Sequence, residues 1–107
     1  MKHDEAVIEQ RILVKGLTAA RLTPDAIDAT IEKADYYVFP GTTVTVCCLT
    51  LKNGFTVVGE SACASPANFD TEIGRTIAHS NARDKIWTLE GYLLKQQLFQ
   101  NSQVIST

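Results

Sequence analysis

Residues 52 to 87 read KNGFTVVGESACASPANFDTEIGRTIAHSNARDKIW, and this stretch decides the fold. It opens with Asn53-Gly54, two residues that tolerate the positive φ angles of the favoured two-residue hairpin turns, between two strand-like runs. A loop rich in turn and cap formers follows at Ser61 to Asp70, and the composition is helical from Thr71 onward. The sequence therefore predicts a β-hairpin that leads through a polar loop into a long helix.

Two short helices are predicted ahead of this unit. Apolar side chains recur at near-helical intervals over residues 5–14, and Gly16 is a suitable stop. In the second helix, Thr23 is placed to cap the N-terminus and Pro24 takes the first position, where its missing N–H costs nothing. We expect this second helix to run from Pro24 to about Lys33.

The sheet is predicted from three runs of β-branched and aromatic residues separated by turn signals. Short connections between them favour antiparallel pairing. The expected fold class is therefore α+β, with a three-stranded antiparallel sheet covered on one face by a long helix, two short N-terminal helices and a C-terminal helix. The predicted strands are Asp35 to Phe39, Thr43 to Leu51 and Phe55 to Glu60.

The long helix is expected to run from about Asp70 to Trp87. Thr88 is able to cap a second segment, LEGYLLKQQLFQ, whose leucines fall on one side, so we expect either two helices or one bent helix. The last residues, NSQVIST, carry no pattern and are expected to fray. No repeat or linker interrupts the chain, so residues 1–107 are predicted to form a single domain.

Composition limits the classes of function. The net charge of -2 and the pI near 5.6 reflect no excess of Lys and Arg, so duplex nucleic acid is not an expected partner. The apolar runs fall short of the roughly 20 residues that span a bilayer, and the polar start is unlike a signal peptide, so we expect a cytoplasmic protein without membrane contact. A domain of this size has apolar surface that is hard to cover, which favours a homo-oligomer.

The spacing of cysteine and histidine argues against a metal site. Cys47, Cys48 and Cys63 form no CxxC motif with one another, and His3 and His79 form no HExxH or HxH motif. Neighbouring residues on a strand point to opposite faces, so Cys47 and Cys48 are poorly placed to chelate one ion. We therefore expect free thiols, no metal and no cofactor.

The long helix carries an unusual face. At about 100° per residue, Gly74, Asn81 and Lys85 fall on the midline of the apolar stripe centred on Ile77 and Ala78. Burial of an unpaired amide or ammonium is costly, so these groups need partners. In the structural interpretation, Asn81 bonds a strand or loop backbone, Gly74 allows close packing on the sheet, and Lys85 extends outward along its apolar stem.

The functional interpretation is a pocket shared by this polar row and the preceding loop. Hydroxyls, amides, an aromatic ring and cations would converge near a helix N-terminus, which favours anions. Such a set suits a small anionic, nucleotide-like ligand whose base stacks on the ring. Asp70 and Glu72 oppose a phosphate and are explained more simply by helix capping. The candidate ligand-binding residues are Ser61, Ser65, Asn68, Phe69, Arg75, Asn81 and Lys85.

Two catalytic sets can be drawn, and neither has a supporting motif. Ser61 or Ser65 with His79 and an acid would make a hydrolytic set, but the G-x-S-x-G elbow is missing from the sequence. Cys63 with His79 and Asp70 would make a thiol variant, for which the sequence shows no tuning environment. We therefore expect that the protein is not an enzyme.

Residues 45–95 resemble a known family. The run LTLKNGFTVVGESACASPANFDTEIGR, followed by A--NARDKIW and LEGYLLK, is similar to the small phage proteins typified by gene 49 of one podovirus and gene 66 of another. The upstream run KGLTAARLTPDAIDATI also resembles the lead-in of that family. One departure is Thr88, where many relatives carry proline, and this departure leaves the break after Trp87 open.

The resemblance implies a phage or prophage accessory protein in the cytoplasm of an infected or lysogenic bacterium, with no assigned catalytic site to carry over. One hypothesis is a counter-defence sponge that sequesters a small nucleotide signal, such as a cyclic or ADP-ribose-type nucleotide. The alternative is an inhibitor that docks onto a host protein. Enzymatic action ranks third.

Overall fold

The computed structural model describes residues 4–17 and 19–105. Its three strands pair antiparallel in the order in which they follow one another along the chain, and the long C-terminal helix covers one face of the sheet. The predicted α+β class and the antiparallel sheet are confirmed. The elements are α1 (Glu5–Val14), α2 (Pro24–Ala29), β1 (Ile31–Val38), β2 (Val44–Leu51), β3 (Thr56–Ala62), a 3₁₀ turn (Pro66–Asn68) and α3 (Thr71–Ile105).

The β2–β3 hairpin has a longer loop than predicted. Leu51 N–H donates to the carbonyl of Phe55 at 2.8 Å, so residues 52–54 form a three-residue loop. Gly54 has a φ of 89°, whereas the φ of Asn53 is negative. Instead, the Asn53 side-chain oxygen accepts a 2.9 Å bond from Phe55 N–H. The predicted two-residue turn was therefore wrong, because Asn53 stabilises a type I turn followed by a left-handed glycine.

The second helix is shorter than predicted. It ends at Ala29, and strand β1 begins at Ile31, so the predicted helix end at Lys33 and the predicted strand start at Asp35 were wrong. The change of state occurs at Thr30, whose carbonyl accepts a 2.9 Å bond from the backbone of the β2–β3 loop. Pairing with the central strand thus overrides the local helical pattern.

Helix α3 is a single helix of 35 residues. Of the two expected arrangements, separate helices are excluded, because the chain is helical through Thr88. A threonine retains the backbone N–H that a proline would remove from the helix. The prediction that residues 101–107 fray was wrong for residues 101–105, which belong to the helix. Residues 106–107 lie outside the described part of the chain.

Small residues let α3 lie directly on strand β3. Gly59 of β3 faces Ala78 and Ala82, which are one helical turn apart and fully buried. A Cβ at Gly59 would lie 2.1 Å from the Ala82 nitrogen and 2.4 Å from the Ala78 carbonyl oxygen. The helix backbone therefore packs on the strand backbone. The core around this contact includes Ile27, Cys47, Leu49, Leu51, Val57 and Ile86.

Arg83 connects the two N-terminal helices to α3. Its guanidinium donates to both carboxylate oxygens of Glu5, at 2.5 and 3.1 Å, and to Asp28 Oδ1 at 2.7 Å. The bonds to these carboxylates, those to Glu5 first, raise the pKa of Arg83 above its ordinary value. Helix α1 has no buried residue, so charged contacts rather than a shared core hold it against the domain.

Replacement of Gly59 by alanine should separate α3 from the sheet, because the new methyl group meets backbone atoms that cannot rotate away. We expect the unfolding free energy to fall by about 3 kcal/mol or more. Gly91→Ala is the matched control, since its Cβ would lie 3.8 Å from Leu22 Cδ1 and alanine favours the helix by roughly 1 kcal/mol. Urea denaturation followed by circular dichroism compares the two, and equal effects would contradict this packing.

Arg83→Ala should lower the unfolding free energy by about 1.5–3 kcal/mol, because it leaves Glu5 without its bidentate partner. Arg83→Lys should recover little of this loss, since an ammonium lacks the planar fork that binds two oxygens. The control is Arg11→Ala on the exposed side of α1, with an expected change within about 0.5 kcal/mol. Equal urea midpoints for the Arg83→Ala and Arg11→Ala variants would show that this connection does not stabilise the fold.

Candidate functional site

A hollow of about 250 Å³ lies where the N-terminus of α3 meets the end of β3 and the loop between them. Gly74 lies at the buried side of this hollow. If residue 74 had a Cβ, that atom would be 2.8 Å from Thr45 Oγ1. The same point is 3.6 Å from Phe69 Cε1 and 3.6 Å from Ser61 Oγ. We call this the Gly74 hollow. Its other walls are Thr43, Ala62, Cys63, Asn68, Asp70, Ile73 and Ile77.

The loop that forms one wall is held by hydrogen bonds to the sheet. Thr43 Oγ1 donates to the Cys63 carbonyl at 2.6 Å and accepts from Cys63 N–H at 3.2 Å. The chain then makes the 3₁₀ turn and places Phe69 half-buried against the start of α3. Because both ends of the loop are fixed, the ring forms a preformed wall rather than a free side chain.

Two hydroxyl groups near Gly74, one on half-buried Ser61 and one on buried Thr45, differ in their bonding. Ser61 Oγ donates to the Gly74 carbonyl at 2.8 Å. Thr45 Oγ1 is fully buried and has no hydrogen-bond partner among the described residues. An unpaired buried hydroxyl costs about 1–3 kcal/mol. The contact between Gly74 and Thr45 is therefore a costly point in the packing, at the base of the hollow.

The charge at the Gly74 hollow is negative. Asp70 lines it, and its Oδ1 accepts a 2.9 Å bond from Ile73 N–H, so the positive helix end already has a carboxylate. Among the described residues, none of the hollow's walls is Lys or Arg. Arg75 lies instead over the ring of Tyr36, 5.3 Å from its centroid. The hollow therefore suits a ring or a sugar better than a phosphate.

The structure brings together three of the seven predicted ligand-binding residues. Ser61, Asn68 and Phe69 all line the Gly74 hollow. Ser65 lies in the same loop outside the walls, with its carbonyl accepting a 3.1 Å bond from the Cys63 thiol. Arg75, Asn81 and Lys85 lie on other parts of α3. The single converging set that the helical pattern predicted is thus divided among separate places.

Asn81 and Gly74 match the structural interpretation of the polar row. Asn81 Nδ2 donates to the Glu60 carbonyl at 2.8 Å, which pairs a backbone group at the open edge of β3. Gly74 permits the close approach of α3 to the sheet. Lys85 is exposed and lies at a second hollow of about 420 Å³, which we call the Phe55 hollow. Its walls are Phe55, Thr56, Val57, Val58, Lys85, Thr88 and Leu89.

The groups that the catalytic hypotheses require are not assembled at the Gly74 hollow. His79 is not one of its walls, although Ser61, Cys63 and Asp70 are. Burial raises the pKa of the Cys47 thiol, which keeps it protonated at neutral pH. The three cysteines are free.

Within residues 4–17 and 19–105, no group of three or more His, Cys, Asp and Glu side chains is arranged to hold a metal ion. His3 lies outside that range. Over the same part of the chain, none of the helices combines the length and apolar character needed to cross a membrane.

Sequence reasoning missed several walls of the hollow. Thr43 comes from the start of β2, and it reaches the loop only because the strands bring residues 43 and 63 together. Ile73 and Ile77 of α3 line the hollow together with the end of β3. A helical projection would have found the isoleucines once the edge of the sheet was known. Thr43 has no local signal.

A sequence model of the phage protein (N4 Gp49/phage Sf6 gene 66) family matches residues 22–98. The matched region contains α2, all three strands and most of α3, and it includes every wall of both hollows. Neither the curated proteins nor the solved structures gave a match.

Asn81→Ala should lower the unfolding free energy by about 0.5–1.5 kcal/mol, because the Glu60 carbonyl loses its partner and is hydrated instead. Asn68→Ala is the control, since its side-chain amide makes no hydrogen bond to the described protein, and its effect should stay within about 0.5 kcal/mol. Thermal and urea unfolding measure both variants. If Asn81→Ala were as stable as wild type, its bond to the β3 edge would have no structural role.

Proposed function

Because the chain belongs to the phage protein (N4 Gp49/phage Sf6 gene 66) family, we propose that it is a non-enzymatic phage or prophage accessory protein that binds a small molecule of the host. In this proposal it is a counter-defence sponge that sequesters a nucleotide-like signal in the bacterial cytoplasm. The observation that carries the proposal is the Gly74 hollow, which combines an aromatic wall with hydroxyl and amide groups.

The walls of the hollow support the binding of a flat ring. Phe69 offers an aromatic face or edge that is held in place, and Ile73 and Ile77 provide apolar contact from α3. Stacking of a base on an aromatic side chain contributes roughly 1–3 kcal/mol and tolerates different bases. The proposed ligand therefore places a nucleobase between the loop and the first two turns of α3.

Polar groups at the rim would give the ligand its orientation. The amide of Asn68 is exposed at the hollow, with a donor and an acceptor that the described protein does not use. Ser61 Oγ donates to Gly74 but retains acceptor capacity. A base or a ribose presents matching groups. Asn68 and Ser61 are thus the proposed orienting residues.

The size and the charge of the Gly74 hollow determine how the proposed ligand is oriented in it. Pockets for drug-sized ligands usually enclose about 300–1,000 Å³, so a hollow of about 250 Å³ holds one base and part of its sugar. The Asp70 carboxylate repels a phosphate inside it. We therefore propose that the phosphates point outward into solvent. Arg75 and Lys85 have no direct contact with the base in this arrangement.

The bonding of the candidate catalytic groups supports the non-enzymatic part of the proposal. The Ser61 hydroxyl is engaged with the Gly74 carbonyl, and the Asp70 carboxylate caps α3. Both groups therefore contribute to the fold, and activation of Ser61 by a general base would require His79 to reach the hollow.

A second candidate function is an inhibitor that docks onto a host protein. It is favoured by the open face of the sheet, where Tyr37 is 55% exposed and Phe39 is 46% exposed. These two rings pack edge to face, with centroids 5.0 Å apart. The neighbouring outward residues of the central strand, Val46 and Cys48, are uncharged. Exposed apolar patches of this kind mark interaction surfaces.

A thermal-shift screen over cyclic dinucleotides and ADP-ribose derivatives tests the sponge proposal. A ligand at 100 times its Kd stabilises the folded state by about 2.7 kcal/mol, which raises the Tm by several degrees. Phe69→Ala should weaken the binding of such a hit by roughly 1–3 kcal/mol, and Asn68→Ala by about 1 kcal/mol. Phe39→Ala is the control, because it removes a phenylalanine ring outside the hollow.

The same samples separate the alternatives. If no ligand shifts the Tm, or if Phe39→Ala and Phe69→Ala weaken a hit equally, the Gly74 hollow is not the binding site. A host protein that binds wild type but not a Tyr37→Glu variant would support the docking inhibitor. Conversion of a ligand to product in these tubes would show that the protein is an enzyme.

A further inference from the structure

Helix α3 is longer than the sheet that it covers. Its 35 residues extend about 52 Å, whereas an eight-residue strand extends about 27 Å. None of the α3 residues from 87 to 103 is fully buried. We call residues 92–105 the arm. The longest dimension of the molecule, 61 Å, reflects this projection.

The composition of the arm is unlike that of a helix surrounded by water. The chain has 10 basic and 12 acidic residues, and only one of them, Lys95, lies in the arm. Tyr92 is 71% exposed and Phe99 is 52% exposed. An isolated helix of this length is marginal in water without packing on an apolar face. Depletion of charge together with exposed aromatic rings is typical of the centre of a protein interface.

One stripe of side chains joins the arm to the Phe55 hollow. At about 100° per residue, Leu89, Tyr92 and Phe99 fall on the same side of α3, with Gln96 between the two rings. Lys85 and Thr88 precede them on that side and are walls of the hollow. This stripe therefore has a projecting ring at one end and borders a cavity beside β3 at the other. It consists of residues 85, 88, 89, 92, 96 and 99.

We propose that this stripe binds the same stripe of a second copy of the chain, with the two α3 helices antiparallel. A two-fold axis near Tyr92 brings residue 99 of each helix opposite residue 86 of the other. Phe99 then lies between Lys85 and Leu89 of the other copy, at the mouth of the Phe55 hollow. A hollow of about 420 Å³ has room for this ring. The Phe99 ring of each copy thus enters the Phe55 hollow of the other, and this reciprocal contact is what an isologous interface requires.

Charge also fits this arrangement. Lys85 is the one charged residue of the stripe, and in this register it lies opposite the last turns of the other α3. The carbonyl groups at a helix C-terminus carry partial negative charge and favour a cation. A parallel arrangement would instead bring the two Lys85 side chains together. The antiparallel arrangement is therefore the one that the charges favour.

The exposed area is sufficient for a dimer of moderate affinity. An aromatic side chain buries about 150–250 Å², and Phe55 is 55% exposed, comparable to Phe99 and less than Tyr92. With the contributions of Leu89 and Val58, each copy supplies on the order of 500 Å², or about 1,000 Å² in total, near the lower limit for a specific interface. We expect a reversible dimer. This interface is separate from the Gly74 hollow, so it stands or falls independently of the proposed ligand.

Analytical ultracentrifugation of the full chain over a range of micromolar concentrations tests the dimer. Wild type should change from monomer to dimer as its concentration rises. Phe99→Lys should weaken the dimer at least about tenfold, because it removes the ring from the hollow and places a second ammonium beside Lys85 of the other copy. Phe39→Lys is the matched control, since it changes a similarly exposed ring on the open sheet face, and it should leave the dimer intact. Circular dichroism verifies that each variant is folded.

Oxidative cross-linking tests the direction of the helices. Tyr92→Cys should form a disulfide-linked dimer with itself, whereas Gln100→Cys should not, because residue 100 faces residue 85 of the other copy. Wild type, with its own three cysteines, sets the background. A wild type that stays monomeric overturns the proposal, as does a dimer abolished by Phe39→Lys but not by Phe99→Lys. Cross-linking through Gln100→Cys alone would overturn the antiparallel arrangement.

Discussion

The backbone contact between strand β3 and helix α3 determines the positions of the other parts of the structure. Gly59 has no side chain, so the backbone of Ala78 and Ala82 approaches the strand more closely than any larger residue would permit. One turn earlier, Gly74 extends this close contact to the end of the sheet. Phe69 and Ser61 then meet at one point above Gly74, so the hollow exists because the helix lies so low on the strand.

Local signals in the sequence predicted much of the fold, and tertiary contacts account for the remainder. The bounds of α1 and the start of α2 were correct because capping residues act within a few positions. The predicted end at Lys33 failed because residues from Ile31 onward pair with β2, a contact that no local pattern records. The hairpin was placed correctly, but its loop length depends on how Asn53 uses its side chain.

The candidate site was less predictable than the fold. A helical projection identified Gly74, Asn81 and Lys85 as unusual, but it does not show which edge of the sheet the row follows. The structure places Asn81 on the edge carbonyl of β3 and Arg75 over Tyr36 on the opposite side. Ser61, Asn68 and Phe69 line one hollow because they belong to one short stretch of chain, whereas Ser65 of the same stretch lies outside its walls. The main revision concerns the charge of the site. Because the Asp70 carboxylate lines the hollow, the hollow suits a ring better than a phosphate.

Helix α3 is one helix that the sheet supports along its first half. In the proposed dimer, a second copy supports its arm. Amide hydrogen exchange at two protein concentrations measures these supports separately. Residues 74–86 should exchange slowly at both concentrations, whereas residues 93–103 should become protected only at the higher one. Equal protection of the two halves at the lower concentration, or faster exchange over residues 74–86 than over the arm, would contradict this account.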